Sequence, residues 1–244
     1  MTGNLVIAGL GPGADAMVTP EVSQALAQAT DIVGYIPYVA RISPRAGLTL
    51  HPSDNRVEID RATHALQMAL QGQRVVVVSS GDPGVFAMAS AVFEAMAGDP
   101  TLAAAQVTVL PGITAMLAAA AALGAPLGHD FCCINLSDNL KPWDLIARRL
   151  THAARGDFAM AFYNPRSASR PDTFARTLAL LRQECGPDRL ISFARAVSTP
   201  DQHLLTVTLA EARPEMADMR TVVILGNAAT RRVGPYVFTP RSAP

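Results

Sequence analysis

Four consecutive valines, Val75 to Val78, run straight into Ser79-Ser80-Gly81-Asp82-Pro83-Gly84. A β-branched run with no polar alternation reads as a strand covered on both faces, the condition of a parallel sheet. Gly81 and Gly84 permit tight turning and Pro83 lacks an amide donor, so the strand ends there. The apolar run from Phe86 to Met96 predicts a helix. A strand of this kind followed by a helix commits the chain to an α/β sheet. The loop at the carboxyl end of such a strand is where α/β proteins bind ligands. The plain alternative is an ordinary strand-to-helix turn.

The same pattern recurs before and after it. Leu5 to Ala8 is a short apolar strand that enters Gly9-Leu10-Gly11-Pro12-Gly13. The dinucleotide-binding fingerprint fits this loop poorly: Ala14 stands where a third glycine belongs, and Asp31 precedes Ile32-Val33 instead of ending a second strand. Thr19 and Pro20 open a helix, as cap and first residue. Asp31 to Tyr35 is the next strand, with Tyr38, Arg41 and Arg45 beyond it. The tyrosines read either as core plugs with wet hydroxyls or as the lining of a cleft for a large flat ligand. A helix follows with Ile59, Ala62, Leu66 and Leu70 on one side. Val107 to Leu110 is a strand that exits through Pro111-Gly112-Ile113-Thr114 into the alanine-rich helix Ala115 to Leu123. Thr114 is a helix cap or a hydroxyl shown to a ligand. Gly124 to Gly128 reads as a crossing, which divides the chain into domains of residues 1–124 and 125–244.

In the second half, Phe131 to Leu136 is a strand whose neighbours Cys132 and Cys133 point to opposite faces. Ser137-Asp138-Asn139 is a polar loop, and Pro142-Trp143 opens a helix. Phe158 to Phe162 is a buried strand leading into Tyr163-Asn164-Pro165-Arg166-Ser167, with Arg170 beyond. Two arginines beside a strand end suit carboxylate binding, against the plain reading of a solvated loop. Leu190 to Ala194, His203 to Thr208 and Thr221 to Leu225 are further strands, the last leading to Gly226-Asn227-Ala228-Ala229-Thr230. The tail through Pro244 reads as short and irregular. Strands this close together predict a mixed sheet.

Composition narrows the function classes. Acidic and basic side chains balance to a net charge of +0, and Lys141 is the single lysine, so no basic footprint for nucleic acid exists. Mean hydropathy is +0.23, yet no apolar run reaches membrane length and the N-terminus has no signal-peptide core. The three cysteines form neither a metal-ligand spacing nor a disulfide framework. A cytoplasmic protein without a metal or membrane association is the expectation. No serine sits in a nucleophile elbow and the histidines are scattered, which fits an enzyme whose reactivity lies in cofactor and substrate.

Four motifs taken in order carry a resemblance over nearly the whole chain. Gly9-Leu10-Gly11-Pro12-Gly13, Val33-Gly34-Tyr35, Ser80-Gly81-Asp82-Pro83-Gly84 and Leu110-Pro111-Gly112-Ile113-Thr114 resemble the ordered motifs of the tetrapyrrole methylases. Ser137-Asp138 with Lys141-Pro142-Trp143, Phe162 to Ser167 with Arg170, and Leu225-Gly226-Asn227 followed by Thr239-Pro240-Arg241 resemble the branch that uses S-adenosylmethionine to methylate precorrin-3B at C17 and contract the macrocycle in cobalamin synthesis. Ala228-Ala229-Thr230 departs from a more hydroxylated run in that branch.

The resemblance implies two α/β domains, a mostly parallel N-terminal sheet and a mixed C-terminal one, with S-adenosylmethionine between them. It assigns Gly81, Asp82, Val85, Phe86, Thr114, Ala115, Leu136, Tyr163, Asn227 and Ala228 to the cofactor. Gly11, Pro12, Gly13 and Tyr35 would face the macrocycle, with Ser137, Lys141, Arg166, Ser167 and Arg170 on its carboxylates. His129 and Asp15 are the candidates for proton transfer, with Asp82 set aside as tied to loop amides. It also implies a homodimer. A methylase acting at another carbon such as C11, a protein-modifying diphthine synthase and a non-catalytic tetrapyrrole carrier are the alternatives.

Overall fold

The computed structural model describes residues 3–55 and 57–242. The chain divides into two compact units, residues 1–114 and 115–244. The division falls ten residues before the expected crossing. The alanine-rich helix accounts for the difference: its Ala119 and Leu123 pack on Ala161, Ala194, Val222 and Ile224, so it belongs to the second sheet.

The first unit is a five-stranded sheet in the order β3-β2-β4-β1-β5, with every pairing parallel. Its strands are β1 (Asn4–Gly9), β2 (Asp31–Tyr35), β3 (Thr49–Ser53), β4 (Arg74–Ser79) and β5 (Gln106–Leu110). The helices between them are α1 (Pro20–Gln28), the short α2 (Ile36–Val39), α3 (Glu58–Leu70) and α4 (Met88–Gly98). The valines of β4 are buried on both faces. Val75 and Val77 meet Ala62, Leu66 and Val92 of α3 and α4, while Val76 and Val78 join Val22 and Val39 on the other side.

Three expectations are corrected here. On α3 the buried face is Arg61, Ala62, Ala65, Leu66, Met68 and Ala69, whereas Ile59 and Leu70 are exposed. The helix after β4 starts at Met88, because Phe86 has φ +53 and interrupts it. The strand β3 went unread, since His51 and Pro52 hide an edge strand whose side chains alternate weakly.

The second unit holds α5 (Ala115–Leu123), β6 (Gly124–Ala125), β7 (Phe131–Asn135), α6 (Trp143–Arg155), β8 (Ala159–Tyr163), α7 (Thr173–Glu184), β9 (Leu190–Arg195), β10 (His203–Thr208), β11 (Thr221–Leu225), β12 (Arg231–Val233) and β13 (Tyr236–Phe238). Its main sheet runs β10-β9-β11-β8-β7; only β7 and β8 pair in parallel, so the sheet is mixed as expected. Met160 and Phe162 face α6 and α7 through Ile146, Leu150, Phe174 and Leu178. Cys132 packs on that side and Cys133 on the α5 side, as strand alternation requires. The tail is not irregular: β12 and β13 form a hairpin at Gly234, and β13 pairs with β6.

Candidate functional site

In the first unit, the loops leaving β1, β4 and β5 are locked together at the carboxyl edge of the sheet. The Leu10 amide donates to the Ser79 carbonyl at 2.8 Å, and Gly11 and Gly81 exchange backbone hydrogen bonds. Asp82 then ties the third loop in. Its Oδ1 accepts from the Gly84 amide at 2.8 Å and its Oδ2 from the Gly112 amide at 3.1 Å. The carboxylate thus serves loop amides, as the sequence suggested, and not proton transfer. A Cβ on Gly9 would meet the Gly81 carbonyl oxygen at 2.6 Å and the Gly112 nitrogen at 2.7 Å. The glycines exist here so that three backbones can touch.

Around this knot stand apolar side chains in the open. Ile36 after β2, Phe86 after β4 and Ile113 after β5 are 50%, 47% and 38% exposed. Phe86 also holds a left-handed backbone, which strains an aromatic residue and is found at ligand clamps. Thr114 is buried. Pro12, Gly13 and Val85 are half-buried in these loops. Tyr35 and Tyr38 meet edge to face with centroids 5.3 Å apart. Burial pushes the Tyr38 phenol up, opposed by its hydrogen bond to Ser80. Beside them Arg61 is buried, its Nε donating to Ser53 Oγ at 2.7 Å and its Nη2 to the Asp54 carbonyl at 2.6 Å. Burial holds that guanidinium below its usual range. Tyr38 packs on the Val22, Val39 and Val78 core as a plug, and Tyr35 is likewise half-buried. Asp15 lies fully in the open, its carboxylate 3.5 Å from Arg41.

In the second unit, β7, β8 and β9 all point the same way, because β8 and β9 are each antiparallel to β11. Their carboxyl ends bring Ser137, Tyr163, Asn164 and Ala196 to one edge. The Tyr163 hydroxyl accepts the Met116 amide of α5 at 2.9 Å. Asn135 Oδ1 accepts from the Ser137 amide and from Asn164 Nδ2. Arg170 is buried, donates from Nη1 to the Asn164 carbonyl at 3.2 Å, and has Asp138 4.0 Å from its Nε. Arg166 donates to the Pro171 carbonyl at 3.3 Å, and Ser167 bonds to Ser169. Lys141 is held below its usual range by burial, reinforced by Arg149 and Arg170.

Three predicted site residues are not brought to that edge. Asn227 and Ala228 follow β11, and His129 precedes β7, so all three sit at the opposite end of the sheet. Five strand residues separate the ends, about 15 Å at the usual rise. Sequence order concealed this, because strand direction is a property of the fold. Asn227 Oδ1 accepts from the Ala229 amide and the Thr230 hydroxyl, and the Ala228 amide donates to Asp157. His129 Nδ1 accepts the Asp130 amide at 2.8 Å. Leu136 reaches the Tyr163 edge, but its side chain is fully buried in the core, leaving only backbone for a ligand. Conversely, Asn164 and Ala196 have φ of +51 and +47 and went unread as a pair. No glycine marks either position. Among the described residues no group of His, Cys, Asp or Glu is placed to hold a metal ion.

A profile of the Tetrapyrrole (Corrin/Porphyrin) Methylases matches residues 4–213. The chain belongs to the tetrapyrrole methylases. It is 47% identical over 247 residues to the precorrin-3B C(17)-methyltransferase of a Sinorhizobium species, an alignment covering 99% of this chain and 97% of that protein. Against the cobalamin biosynthesis protein CobIJ of Mycobacterium tuberculosis it is 44% identical along its whole length, while spanning 49% of that longer protein. Among solved structures, the methyltransferase CobJ superposes with a TM-score of 0.96 at 72% identity, covering 98% of this chain and 100% of that one. A uroporphyrin-III C-methyl transferase from Thermus thermophilus, complexed with S-adenyl homocysteine, shares the fold at a TM-score of 0.69 and 22% identity, over 92% of each chain. In this tetrapyrrole methylase, three of the four motifs that carried the resemblance interlock around Asp82, while Gly34 makes room for Val78 and Val39.

Proposed function

We propose that this methylase transfers a methyl group from S-adenosylmethionine to C17 of precorrin-3B, giving precorrin-4 with contraction of the macrocycle, in cobalamin biosynthesis. The observation that carries the choice of substrate is end-to-end similarity to a Sinorhizobium enzyme named for that reaction. The geometry supports the transfer class. The first unit offers an edge of backbone groups and exposed apolar side chains, with the Asp82 carboxylate already held by amides. That surface suits a transfer that needs alignment more than a charged catalytic group, since the sulfonium methyl of bound S-adenosylmethionine is already electrophilic and leaves a neutral thioether behind.

In this reading Gly81, Asp82, Val85, Phe86 and Thr114 are the cofactor candidates of the first unit. Those of the second unit are Ala115, Tyr163 and the Leu136 backbone, on the edge that carries the left-handed turns at Asn164 and Ala196. Asn227 and Ala228 act as structural residues of the opposite end. Gly11, Pro12, Gly13 and Tyr35 face the macrocycle. Ser137, Lys141, Arg166, Ser167 and Arg170 take its carboxylates. Ring contraction requires loss of a hydroxyl proton at C20, for which Asp15 remains the candidate, since His129 lies at the opposite end of the second sheet.

We read the protein as a cytoplasmic homodimer. Its three free cysteines suit a reducing compartment, and light scattering at about twice the 25.7 kDa chain mass checks the assembly. The deciding experiment for function is turnover of precorrin-3B with S-adenosylmethionine, read by mass spectrometry and carbon NMR. A new methyl at C17 is expected. Methylation at another carbon, or tight binding without turnover, overturns the reading in favour of a different methylase or a carrier.

A further inference from the structure

The first unit contains a cavity of about 320 Å³ beside the β1 loop, within the range of small-ligand sites. Its wall is aliphatic, with Leu10, Leu26, Ile42 and Leu48, and no aromatic ring lines it. Two guanidinium groups complete it. Arg41 donates from Nη2 to the Leu10 carbonyl at 3.1 Å, and Arg45 donates from Nη2 to the carbonyls of Leu26, Ala27 and Ala29 at the end of α1. Each arginine is thus anchored through one nitrogen. The Nε and Nη1 of both have no protein partner among the described residues.

We propose that this cavity binds a carboxylate carried on a short alkyl arm of the tetrapyrrole substrate. Two anchored forks with free donors match a carboxylate, which takes parallel N–H bonds from a guanidinium. The aliphatic wall suits a methylene arm, where a flat ring would find no stacking partner. Leu10 connects the cavity to the loop assigned to the macrocycle: its carbonyl is held by Arg41, and Gly11 follows it directly. Asp15 lines the mouth and leaves the site with one net positive charge from three ionised groups. The inference rests on the tetrapyrrole reading above and adds to it a first-unit anchor for the rim of the macrocycle.

The test titrates the full chain with a non-reacting porphyrin octacarboxylate, in parallel with S-adenosylhomocysteine. Arg41→Gln and Arg45→Gln are each expected to weaken porphyrin binding by about tenfold, the scale of one charged hydrogen bond, with S-adenosylhomocysteine affinity unchanged. Ala27→Phe fills the cavity without removing either arginine and is expected to do the same, which covers any loss of folding in the Arg45 variant. Asp15→Asn is expected to tighten binding. Unchanged porphyrin affinity in Arg41→Gln and Ala27→Phe overturns the cavity assignment while leaving the methylase reading intact. Wild-type protein that takes up S-adenosylhomocysteine but no porphyrin overturns both. Competition by free glutarate at millimolar concentration assigns the cavity to a small dicarboxylate and overturns the substrate arm.

Discussion

Gly11 and Gly81 exchange a reciprocal pair of backbone hydrogen bonds, 3.2 and 2.9 Å long, at the edge where the first sheet ends. The two residues belong to loops seventy positions apart in sequence, and each has a left-handed backbone, with φ of +67 and +63. The bridge fixes the spacing between the β1 and β4 exits, and Asp82 extends it to the β5 exit through Gly112.

Gly112→Ala tests that knot. Its Cβ would overlap the Gly81 carbonyl oxygen, so the β5 loop must withdraw. The expected cost is about 1–3 kcal/mol of stability, as for other overpacked positions, accompanied by weaker S-adenosylhomocysteine binding in calorimetry. An equal loss of stability with unaltered cofactor affinity would show that the knot shapes the fold alone.

Tyr163→Phe removes the acceptor for the Met116 amide in the first turn of α5. Loss of that bond should cost about 0.5–1.5 kcal/mol, measurable by chemical denaturation. If the same hydroxyl also touches cofactor, affinity falls beyond what Tyr163→Phe costs the fold; a change confined to stability assigns the residue to α5.

Arg166 and Arg170 should separate cleanly. Arg170 has a side chain only 8% exposed and holds the Asn164 carbonyl. Arg170→Ala is expected to destabilise the second unit by about 1.5–3 kcal/mol. Arg166 is the freer of the two, so Arg166→Ala should leave the melting temperature nearly constant and raise the KM for precorrin-3B. A melting temperature that drops equally in both variants contradicts this division.

The cysteines set a pH limit. Burial pushes the Cys133 thiol up to about 12, with Cys132 beside it adding to the effect. Between the unfolded value near 9 and that folded value, the folded chain binds more protons than the unfolded one. The contribution of Cys133 to stability is therefore complete below about pH 9 and falls as pH rises above it. Cys133→Ala should flatten that alkaline slope in denaturation curves, and alkylation of the native protein at pH 8 should spare Cys133.

The sheet cores were legible because β-branched and small apolar runs admit few readings. Val75 to Val78 announced a strand buried on both faces, and it is one. The interlocked loops were legible as motifs, though the reason for their glycines, contact between backbones, appears only in three dimensions. Direction was the part sequence did not carry. Tyr163 ends one core strand and Asn227 follows another, yet antiparallel pairing of β8 and β11 sends them to opposite ends of the sheet. The left-handed Ala196 gave no sign either, since nothing in an alanine marks the conformation its neighbours impose.

The strand order of the first sheet has a consequence for how the protein is made. Within this sheet β1 is synthesised first, and its two neighbours, β4 and β5, are synthesised last. Leu5 and Ile7 wait with both strand edges open until β4 is complete at Ser79, and with one edge open until Leu110 has been added. At a typical synthesis speed of about 5–20 residues per second, that is roughly 5–20 s. Until Ser79 is added the nascent chain carries an apolar strand with neither of its neighbours to bind, which gives a ribosome-bound chaperone reason to cover β1.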